Sequence, residues 1–306
     1  MSTKLKYIIA GQSVEILTDH PDAIARLLPG FCHFHDSSAE KEPLIQLSRE
    51  FESEEGESEF LWADNDSHII HTFDLEEDSC TLSKKGNNYF FTISEKDGDV
   101  LMEFTKELGS HEIRCRLKPD YENGKLNMPS SLHLKFSLWM AIGFTGIPRK
   151  LSAVHSSVII YNNSAVLFLG ESGTGKSTHT KLWLKHIAGS KLLNDDSPIL
   201  SIEGQKVIVH GSPWSGKGQK YVNESYPVKA IVRIKQHPSN KLQKLNKLES
   251  FGALYPSFPP AYLKDAYFEG HICEIISKVI STTPVYLLEC LPNSEAAEMV
   301  MGTIYK

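Results

Sequence analysis

Ala165-Val166-Leu167-Phe168-Leu169-Gly170-Glu171-Ser172-Gly173-Thr174-Gly175-Lys176-Ser177 is the stretch that decides how the second half of the chain is read. Its first five residues are apolar, as a buried strand requires, and its last eight satisfy the phosphate-loop pattern G-x-x-x-x-G-K-[ST] in full. A helical run from Lys176 to Ala188 follows. Glycines at these places free the backbone to turn N–H groups around a phosphate, and the N-terminus of the next helix adds partial positive charge. Gly170, Ser172, Gly173, Thr174, Gly175, Lys176, Ser177 and Thr178 are therefore the expected nucleotide-binding residues. Lys176 can reach the β- and γ-phosphates and the Ser177 hydroxyl can ligate Mg²⁺, so ATP and Mg²⁺ are the expected cofactors. A loop that touches only phosphates leaves the choice between ATP and GTP open.

Immediately upstream, Val158-Ile159-Ile160-Tyr161 is joined to the loop's strand by only Asn162-Asn163-Ser164. So short a link makes an antiparallel hairpin, because a parallel crossover needs a dozen or more residues. The same pattern recurs at Ile199 to Ile202, a Glu203-Gly204 turn, and Lys206 to Val209, so a mixed sheet is expected. Val228 to Ile234 and Val285 to Leu288 read as further strands. Ser239 reads as the cap of a helix carrying Leu242, Leu245, Leu248 and Phe251 at helical spacing, a stripe read as core. Asn293 caps a closing helix.

The first ~125 residues read differently. Short alternating or apolar runs recur at Ser13 to Leu17, His68 to Phe73, Tyr89 to Ile93, Val100 to Phe104 and Glu112 to Leu117, with turn-forming pieces between them. This spacing predicts an antiparallel meander. Asp120 to Pro129 is polar and turn-rich, and a helix from Ser131 to Phe144 is expected beyond it. The domains expected are thus 1–125, a β-rich domain of unknown role, and 126–306, an α/β domain with a mixed sheet and the phosphate loop.

With 306 residues, 41% apolar and 23% charged, the chain has the composition of a folded protein long enough for two domains. A net charge of −6 does not favour nucleic acid or an anionic membrane as partner. No apolar run approaches the length needed to span a bilayer, and the N-terminus lacks a signal-like apolar stretch. Five scattered cysteines without C-x-x-C spacing read as reduced thiols of a cytoplasmic protein. Cys32-His33-Phe34-His35 offers three metal-type donors, but without a second pair at finger-like spacing it reads as a loop after Pro29-Gly30.

Three features add chemistry to the loop. Leu192-Leu193-Asn194-Asp195-Asp196 is an apolar strand ending in two carboxylates, expected beside the loop's own strand. One carboxylate can hold Mg²⁺ while the other takes the proton of an attacking hydroxyl; which does which is open. His155 opens the hairpin and can pair with one of them. Gly211-Ser212-Pro213-Trp214-Ser215-Gly216-Lys217-Gly218-Gln219 is a basic glycine-rich loop in which Lys217 could neutralise charge developing on a transferred group. His179 and His186 on the helix after the loop read as packed or solvent-facing residues.

At these residues the chain resembles the HPr kinase catalytic domain and its relatives of phosphoenolpyruvate-carboxykinase-type fold. That group has a histidine opening a hairpin, a G-x-S-G-x-G-K-S loop and an Asp-Asp pair on the next strand; here these are His155, Gly170 to Ser177 and Asp195-Asp196. The resemblance covers about residues 130–306. It implies an ATP- and Mg²⁺-dependent kinase acting on a serine-type hydroxyl, with one Asp as base, the other helping with metal, and His155 tuning the base. HPr kinases usually carry Glu after the loop serine, where this chain has Thr178. The acceptor is left as a peptide, a protein or a small molecule, and an oligomer is allowed. Two other readings compete: a nucleotide-binding regulatory or scaffold protein without phosphoryl transfer, and a plain ATPase.

Overall fold

A computed structural model describes residues 3–36, 43–50, 63–64, 66–117, 120–122, 125–127, 130–216 and 221–306, with only the backbone described at 48–50, 116–117, 120–122 and 125–127. The chain separates into two compact units, Met1–Gly146 and Ile147–Lys306.

In the first unit the strands are β1 (Thr3–Ile9), β2 (Gln12–Thr18), β3 (Pro43–Glu50), β4 (His68–Leu75), β5 (Asp78–Lys85), β6 (Asn88–Ser94), β7 (Val100–Glu107) and β8 (Glu112–Leu117), with a separate short pair β9 (Asp120–Glu122) and β10 (Lys125–Asn127). Helix α1 (Pro21–Leu27) follows β2, and α2 (Ser131–Gly146) closes the unit. Eight strands form one sheet in the order β1-β2-β3-β8-β7-β6-β5-β4. Strands β4 to β8 form an antiparallel meander as expected, with β5 added to the runs read from the sequence, but the expected Ser13–Leu17 strand lies outside it: β3 is parallel to both β2 and β8, so the sheet is mixed. Cys32 to Phe34 belong to a 3-10 turn, Pro29–Phe34, which buries Phe31 and Phe34 fully and leaves Cys32, His33 and His35 at the surface.

Apolar residues on β6 and β7 pack under α2. Phe136 lies 5.9 Å from Phe91, and Phe144 meets Phe104 edge-on at 5.7 Å. That packing places α2 with the first unit, whereas the sequence reading put the turn-rich segment before it at the division.

The second unit contains β11 (Leu151–Ala153), β12 (Ser156–Tyr161), β13 (Ser164–Leu169), α3 (Lys176–His186), β14 (Lys191–Asn194), β15 (Ile199–Glu203), β16 (Lys206–His210), β17 (Ser225–Gln236), β18 (Lys241–Lys244), α4 (Lys247–Leu254), α5 (Ala266–Thr282), β19 (Val285–Cys290) and α6 (Ser294–Ile304). Its nine strands run β11-β15-β16-β17-β13-β12-β14, with β19 joining β17 to β18. Strand β13 is antiparallel to β12 and parallel to β17, so this sheet is mixed as well. The β12–β13 turn is Asn162-Asn163, both left-handed (φ 46° and 54°), the geometry that lets a two-residue turn match the twist of its strands.

Two expectations are corrected here. The strand that leads into the acidic pair, β14, pairs with β12 and not with the loop's strand. The hairpin sets β12 between them, and α3 crosses over it. The helix expected from Ser239 to Phe251 is instead strand β18, antiparallel to β19, followed by the short α4. Asn246 caps α4, accepting from the Glu249 N–H while the Glu249 carboxylate accepts from the Asn246 N–H. Leu248 is 83% exposed, so the leucine stripe is not one buried face.

Trp183 on α3 is fully buried among Phe168, Val166, Leu288 and Val300. Its indole N–H donates to His179 Nε2 (3.2 Å), and burial pushes the His179 pKa down to about 4. An unfolded-chain histidine protonates near pH 6.5, so between pH 6.5 and 4 the unfolded state binds the extra proton. Stability therefore falls as pH drops through that window and levels off below it, by roughly 3 kcal/mol in all. Denaturant titrations of the wild type and His179→Gln at pH 7 and pH 4.5 are expected to show the pH-linked loss shrinking in the variant. An equal loss in both proteins would assign it elsewhere.

Among the described residues, no helix is long and apolar enough to cross a membrane. All five cysteines are free thiols.

Candidate functional site

The loop Gly170 to Gly175 leaves the end of β13 and enters α3 directly. Gly170 (φ 155°) has no room for a side chain, since a Cβ there would stand 2.4 Å from Thr174 Oγ1. Gly175 (φ 105°) sits at the N-cap of α3 in a left-handed conformation that β-carbon-bearing residues rarely adopt. Thr174 closes the loop on itself, its N–H and hydroxyl both donating to the Glu171 carbonyl (3.2 and 2.8 Å). Gln236, at the end of β17, donates to the Gly173 carbonyl.

Lys176 folds back under this loop and is only 7% exposed. Its ammonium donates to the carbonyls of Gly170 (2.7 Å) and Glu171 (3.2 Å) and lies 2.9 Å from His155 Nε2. Burial lowers its pKa from the ordinary lysine value; Asp196 opposes that shift and Arg233 adds to it. An ammonium has no acceptor, so His155 Nε2 must accept and the ring proton sits on Nδ1. Nδ1 in turn faces Asp196 Oδ1 at 3.5 Å. Partial burial and the Lys176 charge depress the His155 pKa, with Asp196 pulling the other way. His155 is accordingly neutral near pH 7. Lys176, His155 and Asp196 form one chain of polar contacts.

Asp195 is used differently. Its Oδ1 accepts from the Ser215 hydroxyl (2.6 Å) and the Gly216 N–H (2.8 Å), which clasps the loop after β16 to the end of β14. Ser157 on β12 donates to the Asp195 carbonyl. Among the described residues, Asp196 Oδ2 receives only the Ser197 hydroxyl at 3.3 Å, and its side chain is 43% exposed. A single cavity of about 660 Å³ collects His155, Lys176, Ser177, Asp195, Asp196 and Gly216, with Ser172, Gly173, Gly175 and Thr178 also on its wall. Ser177 and Thr178 are exposed in the first turn of α3. Lys217 lies outside the described residues.

Sequence reasoning missed the residue that aims the acidic pair. Asn194 is fully buried. Its carbonyl oxygen accepts from the N–H groups of Asp196 and Ser197 (both 2.9 Å), and its amide donates to the Ser212 hydroxyl and the Trp214 carbonyl. Ser212, also fully buried, donates onward to the Ser197 carbonyl. One amide thus locks the turn that carries both carboxylates to the loop that Asp195 clasps. The only signal in the sequence was a polar residue at an inward strand position just before the acids. Arg233, one strand over on β17, donates to the Ala253 carbonyl and faces the exposed Glu171 carboxylate at 3.4 Å.

Hydroxyl and carboxylate oxygens are the donors a hard cation such as Mg²⁺ takes, and Mg²⁺ uses only one or two carboxylates together with phosphate oxygens. Ser177 with Asp196 or Asp195 on one cavity wall fits that donor chemistry.

No family model matches the chain, and no curated protein matches it. Among solved structures it is similar to the Hpr(Ser) kinase/phosphatase from Coxiella burnetii, at 14% identity and a TM-score of 0.29, over 50% of this chain and 93% of that one. At those values the likeness carries no weight for function. What the fold defines on its own terms is a mixed α/β protein of two units with two mixed sheets.

Proposed function

We propose that the chain is an ATP- and Mg²⁺-dependent kinase that transfers the γ-phosphoryl group to a serine-type hydroxyl of a peptide, protein or small molecule in the cytoplasm. The observation that carries this reading is the convergence of Lys176, His155, Asp195 and Asp196 on one cavity beside the glycine loop. The loop and Lys176 would hold the phosphates. Lys176 would exchange its carbonyl and imidazole acceptors for phosphate oxygens, stabilising charge on the transferred group. Mg²⁺, when bound, supplies charge neutralisation to the phosphates, with Ser177 and a carboxylate of the pair as its protein donors.

Asp196 is the better placed base. It faces the cavity, and the His155 Nδ1–H is its neighbour, whereas one oxygen of Asp195 is committed twice to the 215–216 segment. In the step proposed, the acceptor oxygen forms a bond to the γ-phosphorus as the bond from that phosphorus to the β,γ-bridging oxygen breaks. The hydroxyl proton passes to Asp196, and ADP leaves. Asp195 would then be the carboxylate that helps hold Mg²⁺, while its Oδ1 and the Asn194 amide keep the acidic turn and the neighbouring loop in one piece.

Purified protein incubated with γ-³²P-labelled ATP, Mg²⁺, a cell extract, serine-containing peptides and hydroxyl metabolites is expected to yield a labelled acceptor. Release of labelled phosphate with no labelled acceptor would point to an ATPase. Tight ATP binding with neither transfer nor hydrolysis would favour a regulatory nucleotide binder.

A further inference from the structure

We propose that a second cavity, meeting the first along Gly173, Gly175 and Thr178, seats the base and sugar of the nucleotide; this rests on the nucleotide-binding reading above. The second cavity holds about 680 Å³, within the range of small-molecule sites. The two differ in charge. Lys176, Lys181, Asp195 and Asp196 line the first, whereas among the described residues no Asp, Glu, Lys or Arg lines the second. Its apolar lining comes from Leu182, Ile234, Pro238, Cys290, Leu291 and Pro292. A nucleoside triphosphate has the same division: a charged tail joined to a flat, uncharged head. An inorganic phosphate or a charged acceptor would gain nothing from the neutral half.

The polar groups at the second cavity suit such a head. His237 Nδ1 is occupied by Ser239, lying 3.1 Å from its carbonyl and hydroxyl oxygens and 3.2 Å from its N–H, which leaves Nε2 as the ring nitrogen for a ligand, donor or acceptor according to tautomer. His179 is buried and neutral, its Nε2 already taken by the Trp183 indole.

The walls are also fixed in advance. The His237 N–H donates to the Cys290 carbonyl (3.1 Å), the Leu291 N–H donates to Asn240 Oδ1 (2.9 Å), and Gln236 ties the wall to the loop through the Gly173 carbonyl. Pro238 and Pro292 stiffen both segments. A rigid, neutral slot joined to the phosphate loop is what a nucleobase needs for binding without reordering the protein.

The test is calorimetric titration of the full chain with Mg·ATP and, separately, with Mg·tripolyphosphate, for the wild type, Leu182→Trp (which fills the cavity) and His237→Ala (a surface change). The wild type is expected to bind ATP at least about tenfold more tightly than tripolyphosphate. Leu182→Trp is expected to remove most of that advantage and His237→Ala part of it, with tripolyphosphate affinity unchanged in both. Unchanged tripolyphosphate binding also shows that the variants are folded. Equal wild-type affinities for the two ligands, or an undiminished ATP preference in both variants, would overturn the base pocket while leaving the phosphate site intact. Failure of the wild type to bind either ligand would instead overturn the nucleotide reading itself.

Discussion

Lys176→Met is expected to cut kcat/KM for phosphoryl transfer by about 10²–10³ with little change in the melting temperature. The methionine keeps most of the apolar stem but removes the ammonium that would face the γ-phosphoryl. In the folded chain that ammonium is 7% exposed and below its ordinary pKa because burial disfavours its charge. Replacing the buried charge relieves that desolvation but removes the donor to Gly170, Glu171 and His155, so the two effects oppose and the melting temperature should change little. The prediction has two readouts that a merely structural role would move together. If transfer and melting temperature fall in parallel, Lys176 is a packing residue and its assignment to the phosphates fails. Lys176→Arg should not rescue, because the guanidinium is larger and the carbonyls of Gly170 and Glu171 already crowd the ammonium at 2.7 and 3.2 Å.

The second large effect separates the two adjacent acids. Asp196→Asn is expected to lower kcat by about 10²–10⁴, the usual contribution of a positioned base, with little change in nucleotide affinity. Asp195→Asn should cost far less, because an asparagine Oδ1 can still accept from the Ser215 hydroxyl and the Gly216 N–H. Rapid-quench measurement of a single turnover would isolate the chemical step. The reverse ranking would exchange the roles of the two residues, and full activity in both variants would sink the mechanism. The depressed pKa of His155 adds a pH signature. With neutral His155 as the competent form, kcat should hold as pH falls from 7 until the lowered His155 pKa is reached, then decline as the imidazole takes a proton and pairs with Asp196.

Local chemistry was the legible part of this molecule. The hairpin before the loop follows from a linker too short for any crossover, and the structure has it with two left-handed asparagines. The loop's place between a strand and a helix was equally local. What could not be read was the order of strands. Nothing between Ala165 and Asp196 states that β12 will lie between β13 and β14, because that order is set by how α3 crosses the sheet. The Ser239–Phe251 error has a related cause. Leu242, Leu245, Leu248 and Phe251 share helical spacing, yet Leu242 faces the core from a strand held by β19, and Leu248 faces solvent. Periodicity reports which residues could share a face, and tertiary pairing decides whether they do. Of the site, the charged residues stood out by type. Asn194 did not, because its importance lies in hydrogen bonds to segments whose proximity only the fold creates.

The folded-back posture of Lys176 has a thermodynamic consequence. A free lysine side chain surrenders about 2 kcal/mol of rotamer freedom when it is fixed on a ligand. Here the chain is already immobilised by Gly170, Glu171 and His155, so that entropy is lost when the protein folds rather than when an anion arrives. Anion capture then becomes an exchange of partners by an ordered cation. Its calorimetric signature should be a modest enthalpy, set by the difference between old and new acceptors, and a small entropic penalty from the protein.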